Sequence, residues 1–271
     1  MRIGNRNFDT NNHAYIMGIL NITPDSFSDG GKYNVPDAAL YRVEEMLKEG
    51  MDILDIGGES TRPGYVKISE EEEIERVMPV IEGVKKRFDV PISLDTYKGR
   101  VARAGIEAGV DLINDIWGLQ YDPAMGKIIA DSEAACCLMH NREEANYADF
   151  LEDMAADFDH ILHTAKEAGI QEEKIILDPG VGFGKTYEQN LMAIAHLDKL
   201  KRFGYPILLG TSRKSVVGLT LDVLPQERVI GTVVTGVFGI IQGCSFLRVH
   251  DVKAHVQAVK MAEAILNRGT K

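Results

Sequence analysis

Apolar residues along this chain fall into short, nearly unbroken runs, separated by longer stretches in which they recur at every third or fourth position. The runs lie at 14–20, 52–56, 91–94, 111–113, 135–139, 174–177, 206–209 and 245–249. Continuous rather than alternating apolar character predicts parallel strands buried on both faces. Amphipathic stretches at 36–49, 69–87, 99–108, 144–168, 187–202, 227–242 and 252–267 predict helices between them. Pro36 near a first turn, Gly50 at a stop, and Ser69 three residues before Glu72 mark helix ends. The long segment 212–227 leaves room for a short extra helix. Regular strand–helix alternation with no linker or composition break predicts an α/β fold, a single (β/α)8 TIM barrel, with residues 1–271 as one domain. An open doubly wound sheet is the alternative, but it would carry a glycine-rich phosphate turn after its first strand.

Each run finishes in a polar group. These are Asn21, Asp55, Asp95, Asn114-Asp115, His140, Asp178, Thr211-Ser212-Arg213-Lys214 and Arg248-Val249-His250-Asp251. A polar residue at one strand end only marks the start of a loop. At all eight ends of a barrel, such residues share one mouth and predict a site there. Asp95, Asn114 and Asp178 are acceptors suited to the donor-rich, guanidine-like edge of a heterocycle, because a buried carboxylate needs donors. Lys214, Arg248 and His250 supply positive charge for an anionic leaving group. Ser212 and Lys214 fall at the usual phosphate position of such barrels. Asn21 and Asp55 suit Mg²⁺, a hard cation that takes oxygen and water ligands. The loops at 23–31 and 57–64, rich in glycine and hydroxyls, read as lids, with Arg62 as a planar clamp for a carboxylate or phosphate. The stretch 178–186 matches neither a Walker A loop, since Pro179 stands where glycine is needed, nor a dinucleotide turn, since Lys185 replaces the third glycine. It predicts a backbone passing close to something flat, with Phe183 as a wall.

Composition narrows the field. The 271 residues are 45% hydrophobic and 26% charged, which is globular, and the net charge of −11 argues against nucleic-acid binding. Cys136, Cys137 and Cys244 are an odd number without metal spacing, so a disulfide framework is not expected. Cys136 and Cys137 lie inside a strand and read as inert packing thiols. The longest apolar run, Val229–Ile241, is short of the roughly 20 residues a membrane span needs, and no signal core precedes the first strand. A cytoplasmic protein without membrane partners is the expectation. The acidic run 70–73 suits a first helical turn better than a metal site. His13, His160, His163, His196 and His255, placed in helices or termini, read as surface or packing residues.

The motifs Asn-Ile-Thr-Pro-Asp-Ser-Phe-Ser-Asp-Gly-Gly at 21–31 and Gly-Gly-Glu-Ser-Thr-Arg-Pro at 57–63 resemble the two signature loops of the dihydropteroate synthase family. Further motifs at 93–98, 113–118, 178–186, 210–215 and 248–251 follow in the family's order, and 138–141 is similar to its fifth-strand motif. The resemblance implies a transferase of folate biosynthesis that joins 6-hydroxymethyl-7,8-dihydropterin diphosphate to 4-aminobenzoate, releasing pyrophosphate. It implies that Asp95, Asn114, Asp178 and Lys214 hold the pterin, with Met139 beside it and Arg248 stacked on the ring and reaching the diphosphate. It implies Mg²⁺ at Asn21 with Asp55 and His250 nearby, and aminobenzoate held by Thr61, Arg62, Pro63, Ser212 and Phe183 under Phe27 and Asp29. Asp95, Lys214, Arg248 and Asn21 would be the catalytic set. A homodimer is implied as well, with Val229–Ile241 as a candidate contact. Two rival readings share the barrel: a folate-dependent methyltransferase and a catalytically silent pterin-binding paralogue.

Overall fold

A computed structural model describes residues 1–23, 35–60 and 67–266. A two-residue hairpin opens the chain, β1 (Arg2–Ile3) against β2 (Arg6–Asn7), turned by Gly4 at φ +58°. The barrel strands follow as β3 (Tyr15–Asn21), β4 (Ile53–Gly57), β5 (Ile92–Asp95), β6 (Leu112–Asp115), β7 (Ala135–Met139), β8 (Ile175–Asp178), β9 (Leu208–Leu209) and β10 (Phe246–Val249). All neighbouring pairs among them are parallel, in the order β8-β7-β6-β5-β4-β3-β10-β9. The ring closes from β8 to β9 through a parallel bridge between Leu177 and Ile207 and a Leu177 N–H donated to Pro206 O at 3.0 Å. The sequence-based strands are therefore found, each within two residues of its expected ends, and the expected (β/α)8 barrel is the fold.

The helices are α1 (Val35–Glu49), α2 (Glu70–Arg87), α3 (Gly99–Glu107), α4 (Met125–Ala130), α5 (Phe150–Ala168), α6 (Tyr187–Ala195), α7 (Ser215–Leu221), α8 (Val229–Ile241) and α9 (Val252–Ile265). Ser69 caps α2 by accepting the Glu72 N–H at 3.1 Å, a contact worth about 1 kcal/mol. Two expected helices are shorter than their periodicity predicted. The one expected over 144–168 begins at Phe150, because the Asp149 carboxylate caps the Leu151 and Glu152 N–H groups. The one expected over 187–202 stops at Ala195, where His196 leaves helical geometry, and resumes as a 3-10 turn over Leu197–Phe203. The extra helix expected within 212–227 is α7. Helix α4 fills the slot between β6 and β7 that periodicity left blank, being too short to show a period.

The core has two layers. Between barrel and helices lies a shell built from the outward faces of the strands, among them Leu54, Ile56, Leu94, Ile113, Leu138 and Leu177. Inside the barrel, every strand but β5 contributes to a second cluster: Met17, Ile53, Leu112, Ala135, Cys137, Ile176, Leu208 and Phe246. Ile3 and Phe8 from the hairpin plug its N-terminal end. Side chains alternate between the two layers along each strand, so the positions two residues further on point inward at the opposite end. There the interior turns polar. Cys136, Cys137 and Cys244 are buried with their thiols pushed far up by burial, which makes them poor nucleophiles, as expected for Cys136 and Cys137. Among the described residues no helix is long and apolar enough to cross a membrane.

Candidate active site

Ladder register aligns the inward-pointing strand ends. Asn21 pairs with Gly57, Gly57 with Asp95, and Asp95 with Asn114. Gly57 leaves a notch: a Cβ there would lie 3.5 Å from Asn21 Oδ1 and 3.8 Å from Asp95 Oδ2, so both oxygens flank one point. Gly210 leaves another, 3.7 Å from Asp178 Oδ2 and 3.8 Å from Arg248 Cβ. The two notches are tied together by Arg248. Its Nε donates to Asp55 Oδ2 at 2.7 Å and its Nη2 to Asp95 Oδ2 at 2.5 Å. Ser93 Oγ donates to the second Asp55 oxygen at 2.6 Å, and Asn114 Nδ2 lies 3.5 Å from it. Both oxygens of Asp55 are thus engaged within the protein.

This packing sets the charges. Burial pushes the Asp95 carboxyl up to about 7; Arg248 opposes the rise and Asp55 adds to it. Burial alone would lower Arg248, but Asp55 and Asp95 outweigh it and raise its pKa, leaving a permanent cation in the mouth. Across the mouth, Asp178 Oδ1 accepts the Gly180 N–H at 2.7 Å. Burial raises the Asp178 pKa against the pull of Lys214. The Lys214 ammonium donates to Val181 O and stands 4.7 Å over the Phe183 ring. Burial lowers it to about 8, with Asp178 resisting. Tyr97, Ile116 and Met139, with Trp117 and Phe183 packed on them, form a separate apolar cluster that can face a flat ring. At the rim, Ser212 Oγ and His250 Nδ1 lie 2.9 Å apart, and the His250 N–H donates to Ser212 Oγ at 3.1 Å.

The structure therefore brings together Asn21, Asp55, Asp95, Asn114, Met139, Asp178, Phe183, Ser212, Lys214, Arg248 and His250. Thr61, Arg62, Pro63, Phe27 and Asp29 lie outside the described residues. Asp115 and His140 do not join the mouth, because each follows an inward residue and so points out. Asp115 accepts the Trp117 and Leu119 N–H groups at 2.9 and 2.7 Å. His140 Nε2 lies 2.8 Å from Asp157 Oδ2 on α5.

Sequence reading missed two supporting clusters. Lys185 Nζ lies 2.9 Å from His140 Nδ1 and donates to Phe183 O at 3.0 Å, pinning the glycine-rich loop that carries the Phe183 wall. Burial lowers His140 to about 4 against Asp157, so it is neutral and can accept from Lys185. Lys98 Nζ joins Glu59 at 2.8 Å and Glu73 at 2.7 Å, anchoring the loop after β4 to α2. Glu73 belongs to the acidic run read as a first-turn feature; its carboxylate is buried and paired. The partner, Lys98, closes the 93–98 motif and lies 25 residues beyond Glu73, too far for local spacing to signal the pair.

The geometry needed for a small, flat, donor-rich ligand next to an anion is thus in one place. A family model described as "Pterin binding enzyme" matches residues 17–250. The chain is 55% identical over 269 residues to the dihydropteroate synthase of Clostridium beijerinckii, covering 99% of this chain and all of that one (100%). It superposes with a TM-score of 0.93 and 48% identity on a dihydropteroate synthase from Clostridium difficile crystallised with pteroic acid, covering 96% of this chain and 99% of that one. A Xanthomonas albilineans dihydropteroate synthase with 4-aminobenzoic acid gives a TM-score of 0.90 at 41% identity, covering 94% and 93%. On fold, site and likeness together, the chain belongs to the dihydropteroate synthase family of pterin-binding enzymes.

Proposed function

We propose that this chain condenses 6-hydroxymethyl-7,8-dihydropterin diphosphate with 4-aminobenzoate, giving 7,8-dihydropteroate and pyrophosphate. The observation that carries the reading is the Arg248 guanidinium fixed by Asp55 and Asp95 in a mouth that also holds Asn114, Asp178 and Lys214. Asp178, Asp95 and Asn114 offer acceptors to the donor edge of the pterin. Met139 and Phe183 offer apolar surface to its faces.

The bond that breaks joins the pterin methylene carbon to a diphosphate oxygen. Its electron pair leaves with pyrophosphate, and the electron-rich ring stabilises the cation left behind. No protein nucleophile is required. Arg248 and Lys214 stabilise the negative charge that grows on the leaving oxygens. The amine of 4-aminobenzoate then bonds to the methylene carbon and loses a proton. Water must be excluded until that moment, the task that the sequence reading gives to the segments 23–31 and 57–64. This order is dissociative, so pyrophosphate departs before the amine bonds.

The donors at the mouth fit Mg²⁺ only in part. Asn21 Oδ1, beside Asp95 Oδ2, is a neutral oxygen of the right kind, whereas both Asp55 oxygens are already engaged by Arg248 and Ser93, and His250 Nδ1 is paired with Ser212. Asn21 would hold an ion whose remaining ligands are water and diphosphate oxygens, and such an ion would neutralise the leaving group. Its second readings, Asp55 and His250, would act at one remove.

A homodimer completes the proposal. Ile230, Val234, Phe238 and Ile241 are at least half exposed along one face of α8, at i, i+4, i+8 and i+11, and Leu219 and Leu221 on α7 and Leu224 after it are exposed too. Scattered exposed apolar residues are ordinary, but a continuous stripe on a helix facing water is an interface signature.

The test is pyrophosphate release with and without 4-aminobenzoate, followed by detection of dihydropteroate. Product formed in proportion to pyrophosphate is the expected result. Methyl transfer from a folate without pyrophosphate chemistry, or pterin binding without turnover, would overturn the reading. Exchange of labelled pyrophosphate into substrate that strictly requires the amine would overturn the dissociative order.

A further inference from the structure

Ser212 and Lys214 are separated by a single residue, yet the first pairs with His250 at the rim and the second reaches across the mouth to Val181 and Phe183. The residue between them makes this divergence. Arg213 has φ +57°, a left-handed conformation that costs a non-glycine residue about 1 kcal/mol or more. It is not left to glycine, so something must hold it. Three contacts do. Its guanidinium grips Asp251 with both arms, Nε to Oδ2 at 3.0 Å and Nη2 to Oδ1 at 2.6 Å. Its N–H donates to Thr232 Oγ1 at 3.2 Å, and its carbonyl accepts from Arg228 Nη1 at 2.9 Å. Thr232 lies on α8 and Arg228 immediately before it, so both peptide groups flanking the left-handed residue are fastened to that helix. Asp251 is the neighbour of His250, so the side-chain grip also ties the loop after β9 to the loop after β10.

We propose that Arg213 is a positioning residue whose two-armed grip on Asp251 sets Ser212 and Lys214 at their divergent angles and keeps the two phosphate-side loops in register. The inference rests on the proposed synthase reading for its kinetic test, but not for its chemical one. The guanidinium of Arg213 is turned to Asp251, so it acts through its neighbours. A planar fork suits the grip, because an ammonium, a single point charge on a flexible stem, does not present two parallel N–H groups to the two carboxylate oxygens in a fixed plane. Glycine would relieve the backbone cost yet lose the grip, which separates strain from clamping.

The experiment compares Arg213→Gln, Arg213→Gly, Arg213→Lys, Asp251→Asn and the double variant Arg213→Gln/Asp251→Asn. Expected are a tenfold or larger rise in KM for 4-aminobenzoate and a fall in kcat for Arg213→Gln, with a smaller change in KM for the pterin diphosphate. Arg213→Gly matches it, Arg213→Lys recovers part of the loss, and the double variant is no worse than the poorer single. In parallel, acetylation of Lys214 by acetic anhydride, quantified by mass spectrometry against an exposed lysine such as Lys48, rises at least threefold in Arg213→Gln. Kinetics within twofold of the parent, or losses that multiply in the double variant, or an unchanged Lys214 labelling ratio, would each overturn the proposal. A parent protein that labels as expected but shows no turnover would sink the synthase reading instead and leave the clamp standing.

Discussion

Replacing Asp178 by Asn tests the ligand reading at one atom. The change is nearly isosteric, and Asn Oδ1 can still accept the Gly180 N–H that closes the turn at 2.7 Å. What disappears is one negative charge and one acceptor at Oδ2, facing the notch beside Gly210 and Arg248. Charge-assisted hydrogen bonds contribute about 1.5–3 kcal/mol each. Exchanging the acceptor for an NH₂ that opposes ligand donors adds the cost of an unsatisfied buried group, about 1–3 kcal/mol. The sum, about 2.5–6 kcal/mol, corresponds to a loss of roughly sixtyfold to twenty-thousandfold in affinity for a pterin ligand. Calorimetric titration with 6-hydroxymethylpterin reads it, with the thermal midpoint as control. The midpoint should move by only a few degrees, because the Gly180 bond survives and burial already penalises the Asp178 charge.

The same variant carries a second signature. Asp178 is the foremost group holding the Lys214 pKa up against burial, which has brought it down to about 8. Without that carboxylate the amine loses its proton at lower pH. The alkaline limb of kcat/KM should therefore shift to lower pH in Asp178→Asn. Pterin affinity within twofold of the parent would refute the assignment of Asp178 as a ligand acceptor. An unmoved alkaline limb would refute the coupling to Lys214.

Three other outcomes are expected. His140 has its pKa lowered by burial to about 4, below its unfolded value, so the folded state binds fewer protons, and the stability it contributes is present above about pH 6.5 and lost as pH falls toward 4. That loss is about 3 kcal/mol, and denaturant titrations should show a flatter slope between pH 6.5 and 4 for His140→Gln; an identical slope would count against it. Gly180 sits at φ +68°, and a Cβ there would come within 1.9 Å of His140 O, so Gly180→Ala should cost about 3 kcal/mol or displace the loop, read by thermal midpoint and aminobenzoate affinity together. Phe238→Asp, on the exposed stripe of α8, should yield monomers in sedimentation velocity; an unchanged sedimentation coefficient, or a monomeric parent, would remove α8 as the assembly face.

Much of the architecture was legible because parallel strands buried on both faces leave continuous apolar runs, and all eight were found within two residues of their ends. What periodicity could not see was short. The hairpin β1–β2 has two residues per strand, and α4 has six, less than two turns. Helix starts also hid where a cap, not a change of pattern, set the boundary: residues 144–149 fit the amphipathic pattern of α5, but the Asp149 carboxylate occupies the first free N–H groups and begins the helix there. The site was legible as a set of polar strand ends. The partners of those ends were not, since Asp55 and Arg248 are joined only by closure of the barrel, and Lys98 and Glu59 only by the pairing of β4 with β5.

Closure also explains why adjacent polar residues divide between two tasks. Asn114 and Asp115 end the same strand, yet Asn114 lies 3.5 Å from Asp55 inside the barrel while Asp115 ties down the Trp117–Leu119 turn outside it. Met139 and His140 divide in the same way, the first in the apolar cluster at the mouth and the second against Asp157 and Lys185. Parity along a strand has period two, so one residue of each pair meets the ligand side and the other fixes the loop that follows. The outward member is therefore as constrained as the inward one, though it never faces the cavity. Lys185 shows the consequence: it reaches the mouth only through His140 and the Phe183 carbonyl, yet it holds in place the wall that Lys214 stands over. On β6 and β7, at least, the inward groups of the mouth stay preorganised because each is backed by a neighbour one residue away that points in the opposite direction and ties down the loop.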